Sequence, residues 1–270
     1  MSILGFFTVL FLIVCAVILA EMYREQHSFC VTHYEVHSPK ITCTAEKDPV
    51  NRIIFLSDMH NHVYGKQNNK LFEAIKAEQP DLILIGGDML VAKNDVRYQE
   101  ALGFVSRLPQ LCPVYYANGN HEERMKRERE VYGDSCQTFC QELEKAGVMY
   151  LSDESAEFGD DIRITGCNMQ ERYYRHRFTV PRMEEGELES HVGRGELGRY
   201  QILLLHSPLF FEECRRWGAD LTLCGHFHGG TIRLPFLGGV MTPQFQFFLP
   251  WCAGRFDREG KTMIVSRGLG

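Results

Sequence analysis

The sequence lacks an excess of basic residues, and this limits its expected partners. Its 270 residues include 29 Lys and Arg against 35 Asp and Glu, so the formal net charge is −6. Binding of nucleic acid usually needs a basic surface, so we expect no nucleic-acid partner. The chain also has no repeat of fixed period and no low-complexity tract, which excludes a repeat architecture. The composition is that of an ordinary globular protein. The chain is long enough for one substantial core or two small ones.

No cysteine pattern of a zinc knuckle or a compact disulfide framework is present, although the chain has ten cysteines. Cys136 and Cys140 lie four residues apart, which is a helical spacing. We therefore expect most cysteines to be reduced, and several to be small apolar core residues. This favours a reducing compartment.

The N-terminus lacks charge over a long apolar run, ILGFFTVLFLIVCAVILA at residues 3–20. As a helix this run spans about 27 Å, close to the roughly 30 Å hydrocarbon thickness of a bilayer. No Lys or Arg precedes it and no A-x-A cleavage site follows it. We predict an uncleaved transmembrane anchor over residues 1–22, with a cleaved signal peptide as the alternative.

The residues after the anchor bear on its orientation. Arg24 follows the apolar run and nothing positive precedes it, so the positive-inside rule favours a catalytic domain on the cytoplasmic side of the cell membrane. We expect residues 23–48 to form a juxtamembrane link, with a possible first strand in CVTHYEVHSP at 30–39. The main domain is expected over residues 49–270.

Short apolar runs alternate with helical patterns through the first half of that domain. Strands are predicted within 52–58, 81–88, 113–122, 162–168, 200–208 and 219–228, and helices within 70–80, 98–108 and 135–148. The alternation predicts parallel β-α-β units, and the continuous apolar runs are typical of strands covered on both faces. The later half is richer in strands and is consistent with a second sheet.

Polar residues of metal-ligand type stand where the predicted strands end. They are Asp58 and His60, Asp88, Asn120 and His121, His206, and His226 with His228. Ligands of open α/β sheets bind beyond the carboxyl ends of the strands, so these side chains are expected at one rim. In the segment TLCGHFHGG, alternation places both histidines on the same face of an extended chain.

Without His121, this set has two Asp, one Asn and four His. They offer oxygen and nitrogen ligands but no thiolate, which suits Mn, Fe or Zn. Seven side chains are too many for one tetrahedral ion and favour two divalent ions that share a bridging carboxylate. Two ions roughly 3.5–4 Å apart support an in-line displacement at phosphorus. A water between them would lose a proton near neutral pH, because the ions lower its pKa from 15.7 towards roughly 7. The resulting hydroxide would attack phosphorus.

The blocks DMH, GGD, GNHE, LLLHSP and GHFHGG resemble, in order, the five sequence blocks of the calcineurin-like metallophosphoesterases. The resemblance covers about residues 50–270 and implies an α/β fold, a four-layer αββα sandwich with two metals at one edge. It implies one ion held by Asp58, His60 and His228, another held by Asn120, His206 and His226, and Asp88 as the bridge.

The resemblance also implies a role for His121, which would be unliganded and close to the substrate phosphate. His121 would stabilise developing charge or protonate the leaving oxygen, and Asp58 is expected to orient it. Asn120 would present its amide oxygen to a metal and its nitrogen to a phosphate oxygen. After its first residue, the segment HEERMKRERE at 121–130 is predicted to be a solvated helical face.

Two further segments bear on the substrate. In QERYYRHRF at 170–178, Arg172, Arg175 and Arg177 lie among aromatic residues. This segment is interpreted as a phosphate- or sugar-diphosphate-binding loop, as a membrane-surface patch, or as a solvated edge. LPFLGGVMTPQFQFFLPW at 234–251 is unusually apolar and is either a packing loop of the second sheet or a ramp for acyl chains.

GHFHGGTIRLP and the final VSRGLG resemble the membrane-anchored YaeI/YkuE-type phosphodiesterase branch, which is related to the UDP-2,3-diacylglucosamine pyrophosphatases. In that branch the chain usually continues past SRGLG, so we expect a truncated C-terminus. We predict a monomer that hydrolyses a phosphodiester or pyrophosphate bond in a lipid-linked or nucleotide-sugar substrate such as UDP-diacylglucosamine. The alternatives are a tethered phosphoprotein phosphatase or nuclease, and a catalytically idle metal-binding scaffold.

Overall fold

The computed structural model describes residues 2–41, 52–93, 95–234 and 236–270. These residues form two compact units, one ending at Tyr34 and the other running from Glu35 to Gly270.

Nine helices are found in these ranges: α1 (Ile3–His27), α2 (Asn69–Ala77), α3 (Gln99–Val105), α4 (Asn120–Arg127), α5 (Arg129–Tyr132), α6 (Ser135–Lys145), α7 (Glu171–Arg175), α8 (Glu187–Val192) and α9 (Phe211–Trp217). The strands of the same ranges are β1 (Ile53–Leu56), β2 (Leu82–Ile85), β3 (Val91–Lys93), β4 (Asp95–Arg97), β5 (Val114–Ala117), β6 (Val148–Leu151), β7 (Glu154–Phe158), β8 (Ile162–Cys167), β9 (Tyr200–Leu205), β10 (Leu221–Cys224), β11 (Ile232–Leu234), β12 (Gly238–Met241), β13 (Gly254–Arg258) and β14 (Lys261–Val265). Every strand and helix predicted in the main domain is present.

The first unit is built on α1, which continues beyond the predicted end at residue 22. By length and composition its Ile3–Glu25 portion could cross a membrane, a test that a signal sequence near the N-terminus also passes. The expected strand at 30–39 is wrong, because residues 28–41 contain no strand. The rest of the predicted link, 42–48, lies outside the described residues.

The second unit contains two large sheets. The four-stranded sheet has the order β1-β2-β5-β6 and is parallel throughout. The six-stranded sheet has the order β13-β14-β10-β9-β8-β7, with four parallel central strands and an antiparallel strand at each edge. Two small hairpins, β3-β4 and β11-β12, lie outside both sheets.

The two sheets pack face to face through one apolar cluster. Leu84 and Tyr115 of the four-stranded sheet belong to this cluster together with Ile202, Leu204 and Leu223 of the six-stranded sheet. Removing such side chains from water is the main stabilising contribution to packed sheets, at about 25 cal/mol per Å² of apolar surface.

Helices cover the outer face of each sheet. Phe139 of α6 is fully buried and contacts the ring of Tyr116 edge-on, at 5.9 Å between centroids. On the other side, Trp217 of α9 and Leu188 of α8 pack with Leu203 of β9. The layers are therefore helix, sheet, sheet and helix, which confirms the predicted sandwich.

Candidate metal centre

The predicted ligands converge on one edge of the sandwich. Four follow strands β1, β2 and β5 of the four-stranded sheet, namely Asp58, His60, Asp88 and Asn120. Three follow strands β9 and β10 of the six-stranded sheet, namely His206, His226 and His228. Because these strands are parallel within each sheet, their carboxyl ends meet at the same edge. The site therefore takes side chains from both sheets.

One group of candidate ligands is Asp58, His60 and His228, whose ligand atoms all lie within 4.8 Å of one another. Nε2 of His228 lies 3.5 Å from Oδ1 of Asp58 and 3.1 Å from Nε2 of His60. A single cation in contact with all three atoms fits this spacing, because metal–ligand bonds are about 2 Å long.

The second group is Asp88, His206 and His226, again with ligand atoms within 4.8 Å of one another. Nε2 of His206 lies 3.2 Å from Oδ2 of Asp88. The same carboxylate oxygen of Asp88 lies 3.9 Å from Nε2 of His60 in the first group. Asp88 thus belongs to the second group and also borders the first, where a bridging ligand is expected.

Two buried polar atoms of the site support a cation as the missing partner. Nε2 of His226 and Oδ1 of Asn120 are buried and have no hydrogen-bond partner among the described residues. Leaving such an atom unsatisfied costs about 1–3 kcal/mol. Both are lone-pair donors that a divalent cation would satisfy, so the residues present fit the ions that the sequence predicts.

The electrostatics of the site favour metal binding. Burial lowers the pKa of His121 to about 4 and that of His226 to about 3, and burial also lowers the pKa of His60. These imidazoles are therefore neutral at pH 7, which is the form that binds metals. Burial also acts against a charge on His206, yet Asp88 and Asp58 raise the pKa of His206 to about 10. The two buried carboxylates thus attract positive charge into the site.

Five of the candidate ligands have a backbone φ in the left-handed region, between 49° and 68°. They are Asp58, His60, Asp88, His226 and His228. This conformation costs roughly 1–2 kcal/mol for a residue with a side chain, and such strain concentrates at functional sites. Hydrogen bonds hold the loops in place: the N–H of His226 donates to both carboxylate oxygens of Asp58, at 2.9 and 3.1 Å.

Glu122 was missed by sequence reasoning, and the prediction of a solvated face after His121 is wrong at this residue. Its side chain is fully buried. It accepts hydrogen bonds from the N–H groups of Asp88, Met89 and Gly119, at 2.9, 3.1 and 3.0 Å, and from the hydroxyl of Tyr116 at 2.6 Å. Glu122 therefore ties the loop that carries Asp88 to the loop that begins α4.

His121 lies next to both groups of ligands, because one of its ring nitrogens is within 4.8 Å of ligand atoms of His60 and Asp88. Its Nδ1 accepts a hydrogen bond from the N–H of Ala92 at 2.9 Å, so the neutral ring carries its proton on Nε2. Its own N–H donates to Oδ1 of Asp88 at 2.8 Å. Within the described residues no hydrogen bond joins His121 to Asp58, so Ala92 and Asp88 take the orienting role that was expected of Asp58.

The predicted arginines point to other partners. Arg172 pairs with Glu187 at 2.8 Å, Arg175 pairs with Glu171 at 2.7 Å, and Arg177 lies 5.7 Å from the ring centre of Phe245. Their role in substrate binding stays a prediction.

Tyr174, between these arginines on α7, is the residue that reaches the centre. Its ring lies 4.9 Å from the ring of His226, edge to face. An aromatic residue in an arginine-rich segment gives no sequence signal that separates it from its neighbours Tyr173 and Phe178. The structure therefore adds Tyr174 as one wall of the site.

The final residues of the chain also border the centre. The N–H groups of Leu269 and Gly270 donate to the carbonyl oxygen of Asp58, at 3.0 and 2.7 Å. The carbonyl oxygen of Gly270 lies 3.3 Å from Nδ1 of His228. This contact favours the tautomer that leaves Nε2 of His228 available for a metal.

Comparison with known proteins agrees with this geometry. Residues 51–230 match the calcineurin-like phosphoesterase family. The uncharacterized metallophosphoesterase YkuE of Bacillus subtilis (strain 168) is 35% identical over 258 residues, which cover 92% of this chain and 81% of YkuE. Phosphodiesterase YaeI of Escherichia coli (strain K12) is 25% identical over 196 residues, which cover 71% of this chain and 66% of YaeI, just under two thirds of its length. The uncharacterized protein YpbG of Bacillus subtilis (strain 168) is 27% identical over 232 residues, or 84% of this chain and 78% of YpbG. The chain belongs to the calcineurin-like phosphoesterase family of metal-dependent phosphoric ester hydrolases.

Proposed function

We propose that this protein hydrolyses a phosphodiester or pyrophosphate bond in a lipid-linked or nucleotide-sugar substrate. The observation that carries the proposal is the pair of ligand groups that meet at Asp88, at the edge shared by both sheets. Divalent cations of the Mn, Fe or Zn type, bound there, would supply Lewis-acid activation of the phosphate and of water. The name of the relative YaeI, a phosphodiesterase, supports a diester rather than a monoester.

The residues around the two groups have separate tasks. His121 donates a hydrogen bond from its Nε2 proton to an oxygen of the reacting phosphate and so stabilises the charge that develops there, because the N–H of Ala92 donates to Nδ1 and leaves the ring neutral. Asn120 directs its buried amide oxygen to a cation, which leaves its amide nitrogen for a phosphate oxygen. Tyr174 closes the side of the site next to His226 and orients the group beyond the reacting phosphate.

The N-terminal helix supports a membrane location for this reaction. Its apolar length suits a membrane anchor, and the basic residues Arg24 and His27 lie in its last turn. By the positive-inside rule we assign the catalytic domain to the cytoplasmic side.

The test uses the full chain, purified in detergent without chelator. We expect divalent metal in the protein and turnover of bis-p-nitrophenyl phosphate, but no turnover of phosphoserine peptides. UDP-diacylglucosamine is included in a following screen of lipid diphosphates. Turnover of phosphoserine peptides alone would identify a phosphoprotein phosphatase, and bound metal without any turnover would identify an idle scaffold.

His121→Ala tests the assigned hydrogen-bond donor. Removing one donor that stabilises transition-state charge typically lowers kcat by about 10²–10³-fold, so kcat should fall by that factor while the metal content stays that of the wild type. Unchanged turnover in this variant would show that His121 does not stabilise the transition state.

A further inference from the structure

We propose that a surface beside the metal centre inserts its apolar side chains into an anionic lipid bilayer. This surface is formed by residues 172–183, 232–234 and 236–250, and is called the aromatic platform below. The inference deepens the proposed function and rests on it for the lipid-linked substrate. The docking itself is a separate property that can be measured without turnover.

The two main segments of the aromatic platform are fastened to each other by buried glutamine side chains. Nε2 of Gln244 donates to the carbonyl of Tyr173 at 2.8 Å, and Nε2 of Gln246 donates to the carbonyl of Thr179 at 2.7 Å. Both glutamines are at least 95% buried. The N–H of Phe178 also donates to the carbonyl of Gln244 at 3.0 Å. The platform is therefore one built surface rather than two independent loops.

Large apolar side chains point outward from this surface. The relative exposure is 108% for Phe236, 74% for Phe248, 71% for Leu237, 70% for Phe178 and 52% for Phe247. Single exposed apolar residues are ordinary on soluble proteins, but a cluster of aromatic residues on joined segments marks a surface that meets a partner or a membrane.

The charge of the aromatic platform selects a bilayer as the occupant. Its segments contain no Asp or Glu and five arginines, of which Arg172 and Arg175 pair with Glu187 and Glu171 just outside the platform. The other three, Arg177, Arg182 and Arg233, form no ion pair among the described residues and are the ones that an anionic headgroup would meet. The chain as a whole has a net charge of −6, so this basic character is local. Arginine together with exposed aromatic residues is the composition of membrane-interface surfaces, which bind anionic headgroups and bury their rings at the acyl boundary.

The aromatic platform borders the metal centre. Tyr174, in its first segment, contacts the ring of His226. β11 begins four residues after His228, and Nη1 of Arg233 donates to the carbonyl of Gly229 at 3.1 Å. A bilayer seated on the platform would therefore lie beside the phosphate-binding groups. A lipid-linked substrate would reach them without leaving the membrane.

Two further features agree with this occupant. Arg233, Leu237 and Phe248 line a groove of about 260 Å³. Its arginine would contact a lipid headgroup, and its apolar walls would contact the acyl chains. The same chain carries an apolar helix that could cross a membrane, so a bilayer would be present at high local concentration.

The docking test uses the full chain in nanodiscs that contain anionic phosphatidylglycerol, with and without brominated acyl chains. Phe236→Trp places a reporter at the most exposed residue of the platform. Leu197→Trp is the matched control, because Leu197 is 71% exposed and precedes β9, at the end of the strand opposite to the metal centre. The wild type supplies the background of Trp217 and Trp251.

We expect brominated lipid to quench the reporter at 236 at least twofold more than the reporter at 197. Equal quenching of the two reporters would overturn the proposal, and so would no quenching at 236. Quenching at 236 that is as strong in purely zwitterionic nanodiscs would overturn the role given to the arginines.

A double variant, Phe236→Glu with Phe248→Glu, connects docking to catalysis. Hydrolysis of UDP-diacylglucosamine in the same nanodiscs should fall at least tenfold, while hydrolysis of soluble bis-p-nitrophenyl phosphate should stay within twofold of the wild type. Leu197→Glu should change neither rate. If the wild type hydrolyses neither compound, the proposed function fails, and the quenching measurement alone decides the docking.

Discussion

Replacing Glu122 by alanine should lower both the free energy of unfolding and the affinity for metal. The carboxylate is fully buried and accepts four hydrogen bonds, from the N–H groups of Asp88, Met89 and Gly119 and from the hydroxyl of Tyr116. Alanine leaves all four donors without their acceptor, in a place that the surrounding chain closes off from solvent.

The size of the effect follows from these four donors and from one opposing contribution. A buried donor without an acceptor costs about 1–3 kcal/mol, and water entering the space would satisfy some of the four. Against this, burial and the neighbouring Asp88 raise the pKa of Glu122 to about 7, so keeping the carboxylate ionised is itself unfavourable. We therefore expect a net loss of about 2–4 kcal/mol in the free energy of unfolding. Metal affinity should fall by about 10–100-fold, as is typical when a group that holds a ligand loop is removed.

Urea unfolding of the full chain in detergent with EDTA measures the first quantity, and a metal titration of refolded apoprotein measures the second. Glu123→Ala is the matched control, because among the described residues the carboxylate of Glu123, the next residue on α4, accepts one hydrogen bond, from the amide nitrogen of Asn118 at 2.7 Å, and has one long ion pair, with Lys126 at 4.0 Å. The control should lose less than about 1 kcal/mol, the net value of one hydrogen bond. A Glu122→Ala protein with wild-type unfolding and wild-type metal affinity would refute the reasoning.

Two further variants test other parts of the structure. The carboxylate of Asp220 accepts hydrogen bonds from Lys261 at 2.6 Å and from Lys40 at 2.7 Å. Burial of this carboxylate raises its pKa, but the hydrogen bonds outweigh burial and lower the pKa below the ordinary value. Its contribution to stability is present above the unfolded pKa of about 3.9 and disappears as the pH falls through the lower folded value. Asp220→Asn should therefore lower the urea midpoint at pH 7. The difference in urea midpoint between the variant and the wild type should become smaller as the pH falls from about 3.9 through the folded pKa. A difference that stays constant over this pH range would contradict the prediction. Tyr174→Ala should raise KM for bis-p-nitrophenyl phosphate with unchanged metal content, and an unchanged KM would remove Tyr174 from the substrate site.

The convergence of the candidate ligands was predictable from the sequence because each follows an apolar run that is typical of a buried strand. Asp88 and His206 illustrate this: the runs LILI and YQILLL fix parallel strands, and parallel strands bring their carboxyl ends to one edge. Residue type then specifies the chemistry. No knowledge of tertiary packing is needed for this step.

Glu122 was not predictable in the same way. It begins a segment rich in Glu, Arg and Lys, and such segments usually form a solvated helix face. Its burial depends on where the first turn of α4 docks, since N–H groups from two other loops must converge on one side chain. The sequence pattern within a helix contains no information about those loops.

The expected strand at 30–39 failed for a related reason. Val36 is partly buried and packs against the apolar cluster between the sheets, so the segment has an apolar contact of the kind that a strand would supply. No neighbouring strand pairs with it in the described residues. β-propensity shows only that residues suit a half-buried pleated surface. Whether they form a strand depends on a neighbouring strand with free backbone groups, which the local sequence does not specify.

Because the candidate ligands are divided between two sheets, the distance between bound cations would depend on how the sheets pack on each other. Four candidate ligands belong to one sheet and three to the other, so a small slide of one sheet over the other would change the geometry around Asp88 before any strand is lost. Substitutions at Leu204 or Leu223, in the apolar cluster between the sheets, would then alter which ion is preferred and how well it is held. Selection for a particular metal would act on interior leucines as well as on histidines.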